Sequence, residues 1–470
     1  MVPLVEIPEL VQHYAPFFTE VFSPAALEQF QRYLSGLIVS ENKTVDGINR
    51  IFVVETRNQS SLNRLLTESP FSVEALNQAR LALLESLPGT QVKRDGVISI
   101  DDTLLPHYGH HFDQIAKLFD PVSQSYVWAH NLVNLHYSDD TTDYPLAFQL
   151  WEPAEAETLE AGLKAAGVHL RAGKYALKQT DPMKWRAYLV GVWTRHQQDP
   201  EVQKVYQSKL LIAQQRLADL FTRHPHLRHL PVTFDAWYTQ APFCSFLNDH
   251  LKVAYVGTLK GDDEVVLGKG PMRLDAFADQ LKEEHLQAVK KGHAPVFQPI
   301  TIPYKGQKET YYSYCHTHRI KSFGRLRLVI NHQQQDLSDN PRFFISNRLP
   351  WHAATLTRIR RHRWPVEVYH EEGKADGLAQ YQVRDFAAIG KHIALVAVTY
   401  SLLRAAPHDQ VLRRRLRQNV HTTLEGSAGS GRRNTQAQAL WALACFIQTA
   451  LAQGQTLKQA MHPLLTAVSA

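Results

Sequence analysis

A chain of 470 residues with 44% hydrophobic and 20% charged residues is too long for one ordinary domain and suits about two to four. That balance excludes a disordered polymer. The net charge of +6 and a pI near 9.0 favour a polyanionic partner only mildly, because many cytoplasmic enzymes are as basic. Cys244, Cys315 and Cys445 are odd in number and far apart, which argues against a disulfide framework and for a reducing compartment. The opening run MVPLVEIPEL has no basic stretch followed by an apolar one, so no signal peptide is expected. The most apolar windows, 393–403 and 439–447, fall short of the ~20 residues that span a bilayer and read as buried helices. The expectation is a soluble, cytoplasmic protein without a membrane partner.

In chain order, residues 1–90 read as helical: Leu27, Phe30, Leu34 and Leu37 recur at helical spacing, as do Val73, Leu76, Ala79 and Leu83. The stretch between them carries turn signals and polar caps. From Gly96 the character changes. GVISIDDT, SQSYVWAHNLVNLHYSDD and DYPLAFQLWEP read as strands. A polar helical region follows, ending in a helix over 202–221, then the strand HLPVTFDAWY, a helix over 243–250 and the strand VAYVGTLK. This order predicts an α/β fold with a mixed sheet. Residues 257–347 break the alternation with ETYYSYCHTHRI, RLRLVINH and RFFISNR, a β-rich insertion. Beyond it the pattern is helical to the end, with EGSAGSGRRN expected as a break before the last helix.

Three places carry candidate chemistry. Asp101 and Asp102 end the apolar strand VISI, and Asp235 ends VTF. A carboxylate there needs a partner, because an unpaired buried charge is costly. For either strand alone, a helix cap or a buried ion pair is the better reading. Two strands of one sheet that both end in aspartate favour a site for a hard cation, which takes carboxylate oxygens. Alternation divides the adjacent pair: Ser99, Asp101 and Thr103 share one face, Ile98, Ile100 and Asp102 the other. The polar face selects Asp101. The third place is RHRWPVEVYHEEGK, where Glu367 and Lys374 fall on one helical face and Arg363 lies just outside if Pro365 begins the helix. By itself such a stripe is an ordinary salt-bridged surface.

Together these segments resemble the cut-and-paste DDE transposases of bacterial insertion sequences. Their signature is a tyrosine, two residues, an arginine, three residues, a glutamate, six residues and a lysine. Arg363, Glu367 and Lys374 fit that spacing, with Arg360 in the tyrosine position. GLAQYQVRD resembles the continuation found in some branches, IDDT the D-x-T strand, and FDAWYTQ the strand of the second aspartate. The resemblance covers about 96–390. It implies an RNase H-like catalytic core with a β-rich insertion, flanked by helical N- and C-terminal regions. The division expected is 1–90 (DNA-binding), 91–256 (first part of the core), 257–347 (insertion), 348–400 (the glutamate helix) and 401–470. It further implies that Asp101, Asp235 and Glu367 are catalytic and bind two Mg²⁺, for which Mn²⁺ can substitute. Arg360, Arg363 and Lys374 would contact DNA. The implied partners are the terminal inverted repeats and target DNA, held by a homodimer. An RNase H-like nuclease or resolvase without strand transfer, and a transposase-derived binding protein, remain the alternatives.

Other features read as inert. His107, His110 and His111 suit a solvated loop, Cys315, His316 and His318 a strand, and Asp262, Asp263 and Glu264 a turn, while LGKG lacks the P-loop spacing. Arg358, Arg360, Arg361 and Arg363 adjoin the candidate site and suit an electrostatic track for DNA. Arg413, Arg414, Arg415 and Arg417 fit a solvated helix face equally well.

Overall fold

The computed structural model describes residues 2–268, 270–419 and 426–469. Twelve strands form one sheet: β1 (Val97–His107), β2 (Ala116–Asp120), β3 (Ser125–Ser138), β4 (Asp143–Trp151), β5 (Val232–Phe234), β6 (Tyr255–Leu259), β7 (Glu264–Leu267), β8 (Gly270–Arg273), β9 (Gln298–Tyr304), β10 (Gln307–Ile320), β11 (Gly324–His332) and β12 (Arg342–Ser346). β1 and β4 run antiparallel to β3, while β5 runs parallel to β1 and β6 parallel to β5. The order through this half is therefore β4-β3-β1-β5-β6. β2, a short strand outside the expected set, extends the free end of β3. The expected mixed α/β sheet is present.

The β-rich stretch after β6 joins that sheet. β12 pairs with β6, β11 with β12, and β10 with β11, so the stretch lengthens the existing edge. It also contains the helix Leu274–Lys290, which buries Leu274, Phe277, Ala278 and Leu281. Local alternation reveals such strands, but only long-range pairing decides which edge they meet.

Period-two patterning places β1 between two helical layers. Val97 packs with Val256, Val329, Phe344, Leu356 and Ile359 beneath the helix Ala353–Arg361. Ile98 and Ile100, on the opposite face, belong to the main core with Leu217 and Phe221 of the helix Lys209–Arg223. Between β4 and that helix, residues of the helices Ala156–Ala165 and Pro182–His196 enclose a smaller core around Leu163, Trp185, Leu189 and Trp193.

The N-terminal helices share the main core. Phe30, Leu34 and Leu37 of the helix Pro24–Val39, and Leu76 and Leu83 of the helix Val73–Ser86, are fully buried in the cluster that holds Leu395, Val396 and Leu403. Those three lie on the helix Phe386–Ala405, whose run to His408 is long and apolar enough to cross a membrane; 78% of its most apolar window is buried inside the fold. Two short helices, Val45–Arg50 and Ser60–Thr67, occupy the stretch read as turns. The expected Gly/Ser break is also helical where described: Ser427 caps the helix Ala428–Ala452 by accepting from Ser430 N. Small residues are needed there because a Cβ on Gly431 would meet Leu403 Cδ2 at 2.9 Å.

Buried histidines fasten these layers. His392 bonds Tyr33 Oη at 2.8 Å and Gly377 O at 2.9 Å, and His370 bonds Asn134 at 2.9 Å. Burial holds His392 down to about 4, His370 to about 3 and His362 to about 4. All three stay neutral when folded, whereas the unfolded chain takes up protons below about 6.5. Their contribution to stability is therefore full above that pH and is lost as pH falls toward 4. Urea midpoints should drop between pH ~7.5 and ~5.5, on the order of 1 kcal/mol per histidine per pH unit. An unchanged midpoint in the Asp101→Asn variant, which lacks that carboxyl's opposing titration, would show that these rings protonate freely in the fold.

Candidate active site

Two neighbouring aspartates of β1 enter different environments. Asp102 lies on the Ile98–Ile100 face and is fully engaged. Its Oδ2 accepts from Asn131 Nδ2 at 2.7 Å and Lys209 Nζ at 2.8 Å, and its Oδ1 from Tyr238 Oη at 3.0 Å. The Lys209 ammonium also sits 4.2 Å from the centre of the Trp237 ring, a cation–π contact. Asp102 is thereby a neutralised packing element. Its partner Lys209 has no signal in the sequence, while Trp237 and Tyr238 belong to the DAWY run already singled out.

Asp101 lies on the other face, among acids. Burial, with Asp235 and Asp102 beside it, pushes its carboxyl up to about 7, against the opposing pull of Arg363. Its Oδ2 accepts from Arg363 Nη1 at 2.8 Å, and its Oδ1 from the Asp102 backbone N–H at 2.9 Å. Arg363 Nη2 donates to Glu367. A single guanidinium, 10% exposed, therefore joins Asp101, which lies within β1 and not at its end because the strand runs on to His107, to the carboxylate of the helix Trp364–Ala375. Arg363 is the residue before that helix, with Pro365 in its first turn, as expected if the proline starts the helix.

Asp235 follows β5 directly. Its Oδ1 accepts the backbone N–H groups of Trp237 at 3.0 Å and Tyr238 at 3.1 Å, a capping turn that fixes the carboxylate beside Asp101. Arg363 thus joins Asp101 to Glu367, and Asp235 lies within electrostatic reach of Asp101, while among the described residues the three acids do not close into one cluster.

The arginines diverge. Arg360 donates to Thr258 Oγ1 at 2.8 Å and senses Asp235 and Asp101; burial, then Arg363 and Arg342, lower it from its ordinary value. Arg358 turns instead to Asp95 and Asp140, and Arg361 to Glu309. Only Arg360 and Arg363 of the four face the acids. Beside them opens a cavity of about 850 Å³, with Arg342, Phe343, Tyr311 and Trp364 in its walls. Arg342 carried no signal, being brought there by β12. Lys374 is exposed at the far end of the glutamate helix.

Among the inert features, His110 and His111 are exposed as expected of a loop. His107 is not solvated: its ring lies 4.5 Å from that of Phe112 and 4.4 Å from that of Tyr381, which keeps the end of β1 packed. Cys315, His316 and His318 lie in β10, and Asp262 and Asp263 in a turn, while Glu264 opens β7 instead of sharing that turn. Arg415 pairs with Glu9 on a solvated surface. The Arg417 side chain and Lys269 of LGKG lie outside the described residues.

The mixed sheet thus sets Asp101, inside β1, and Asp235, just after β5, near Arg360 and Arg363, a mixture of acids and cations of the kind found in functional clefts. The chain belongs to the DDE superfamily endonucleases, whose family model matches residues 16–276. The match includes Asp101 and Asp235 and ends before Glu367. No curated protein is detectably similar to the chain.

Proposed function

We propose that the chain is a cut-and-paste DNA transposase, cleaving the ends of its element and joining them to target DNA. The observation that carries this reading is the Arg363 guanidinium shared by Asp101 and Glu367. It draws a glutamate from beyond the family match to the aspartate within it, at the spacing Arg363, Glu367, Lys374. The strand order β4-β3-β1-β5-β6, three antiparallel strands followed by two parallel ones, supports an RNase H-like core. On this reading Asp101, Asp235 and Glu367 are the catalytic carboxylates, and the protein works as a cytoplasmic homodimer on its DNA.

The donor set suits Mg²⁺ or Mn²⁺. Three carboxylates supply hard oxygens, and Asp101, raised to about 7 among other acids, is a group whose ionisation a cation would favour. Among the described residues no three acidic, histidine or cysteine side chains form a ready-made cation cluster. Arg363 stands between two of the donors, supplying positive charge that a bound cation would otherwise bring. When bound, a pair of divalent ions supplies activation of the attacking water or 3′-hydroxyl and stabilisation of the leaving oxygen. Asp101, Asp235 and Glu367 would hold them, with Arg363 exchanging its carboxylate partners for a DNA phosphate, a group its fork fits equally well. Arg360 would bind a second phosphate from the cavity side. Lys374 would hold the backbone further along without reading bases.

The testing assay uses labelled DNA from the ends of the element with Mg²⁺, scored for nicking and for joining. Nicking and joining together are expected; nicking alone would place the chain with nucleases that lack strand transfer. Lys374→Ala should weaken end binding about three- to tenfold and lessen its salt dependence by about one phosphate contact. Loss of Mg²⁺ binding with unchanged DNA affinity would overturn the role given to Lys374.

A further inference from the structure

The hairpin of β2 and β3 carries a row of exposed rings that the carboxylate site does not use. Lys117 is paired across the strands with Trp128, and Phe119 with Tyr126; paired antiparallel residues project to the same face. Trp128 is also paired with His107 of β1, whose position in the alternation is that of Asp101. The rings and Asp101 therefore share one face of continuous strands. Phe119, Tyr126 and Trp128 are 47%, 57% and 37% exposed. The Phe119 and Tyr126 rings lie 5.5 Å apart, and His110 lies 5.7 Å from Trp128.

Isolated exposed apolar residues need no explanation, but a contiguous aromatic row does. The charges beside it select the occupant. Asp120, the single acid of residues 116–138, is taken up by its own turn, accepting from Val122 N, Ser123 N and Ser123 Oγ. Lys117 is exposed between the rings, and Lys374 of the glutamate helix lies within electrostatic reach of Asp120. Aromatic faces interleaved with cations suit unpaired bases and their phosphates, since every base has a face to stack. Asp120 and Glu371 offset Lys374, so the cation that stands among the rings is Lys117.

We propose that Phe119, Tyr126 and Trp128 form a stacking platform for unpaired bases of the DNA strand that leads away from the reaction centre. The proposal rests on the reading of the chain as a DNA-cleaving enzyme. Six residue steps along β1 lead from Asp101 to His107, about 20 Å in extended backbone, or about six nucleotides of a strand.

The test uses the full chain without metal and fluorescence anisotropy with a labelled, mixed-sequence strand of about 20 nucleotides, alone and as a duplex. The triple variant Phe119→Ala, Tyr126→Ala, Trp128→Ala should lose about tenfold or more in single-strand affinity and about twofold or less for duplex. Its melting temperature should fall by only a few degrees, because the rings lie outside the core clusters and only their cross-strand contacts are lost. Trp128→Phe should lessen the fluorescence quench that the single strand produces in the wild type. Unchanged single-strand affinity, or equal losses on both DNAs, would overturn the platform. So would a loss of self-association with DNA binding intact, which would make the row a surface between copies. Because no metal is present, these results stand apart from the cleavage assay. Failure of cleavage with single-strand binding intact would count against the transposase reading alone.

Discussion

Replacing Glu367 by Gln or Asp235 by Asn is expected to lower strand cleavage by ~10³-fold or more, equivalent to about 4 kcal/mol of transition-state stabilisation. DNA-end binding should change little, because affinity comes mainly from phosphate contacts. The choice of Asn at position 235 matters. Asp235 Oδ1 caps the turn through Trp237 and Tyr238, and an asparagine oxygen caps about as well as a carboxylate. Asp235→Asn therefore removes the charge and keeps the turn, whereas Asp235→Ala would add about 1 kcal/mol of lost capping. Glu367→Gln likewise retains an oxygen for Arg363. Single-turnover cleavage beside end-binding measurements decides the matter: near-wild-type cleavage in either variant removes that residue from the centre.

The adjacent aspartates of β1 should separate activity from stability. Asp101→Asn is expected to reduce cleavage by ~10²–10³-fold, while Asp102→Asn should keep activity within a few-fold of wild type. Stability should move the other way. Asp102→Asn weakens the ion pair with Lys209 and the bond from Tyr238, a loss of about 1–3 kcal/mol for a half-buried group. The Asp101 carboxyl is raised to about 7 in the fold, against about 3.9 unfolded. Its contribution to stability is therefore full below pH ~4 and is lost as pH rises through ~7. Asn carries no such titration, so Asp101→Asn should flatten the stability profile across that window. Urea unfolding from pH ~4 to ~8, beside cleavage rates, tests both halves. An inactive Asp102→Asn with an active Asp101→Asn would reverse the assignment.

The part of this site written in local sequence was legible. Alternation in VISIDDT separates the two aspartates by face, and the same alternation puts Asp101 toward Arg363 and Asp102 toward Lys209. The proline of RHRWPVEVYHEEGK marks the helix start, which sets Arg363 at its entry. What could not be read depends on pairings between distant segments. Nothing near Lys209 or Asn131 foretells that they neutralise Asp102. Nothing within RFFIS says that it meets β6 and so carries Arg342 into the cavity. The front helices show the same limit, since their periodicity gives the buried stripe but not its partner. That partner is the helix Phe386–Ala405, joined through the bond of Tyr33 to His392. A run of histidines resembles a polar loop, whereas the packing of His107 against Tyr381 comes from far along the chain.

The central claim is that Asp101, Asp235 and Glu367 share divalent ions once Arg363 turns to DNA. Its most direct test is anomalous diffraction from crystals of the protein with end DNA and Mn²⁺. The account predicts manganese peaks bounded by the carboxylates of Asp101, Asp235 and Glu367, with the Arg363 guanidinium on a phosphate. Manganese bound at Asp102 instead, or Arg363 still bridging Asp101 and Glu367 in a complex that cleaves DNA, would contradict it.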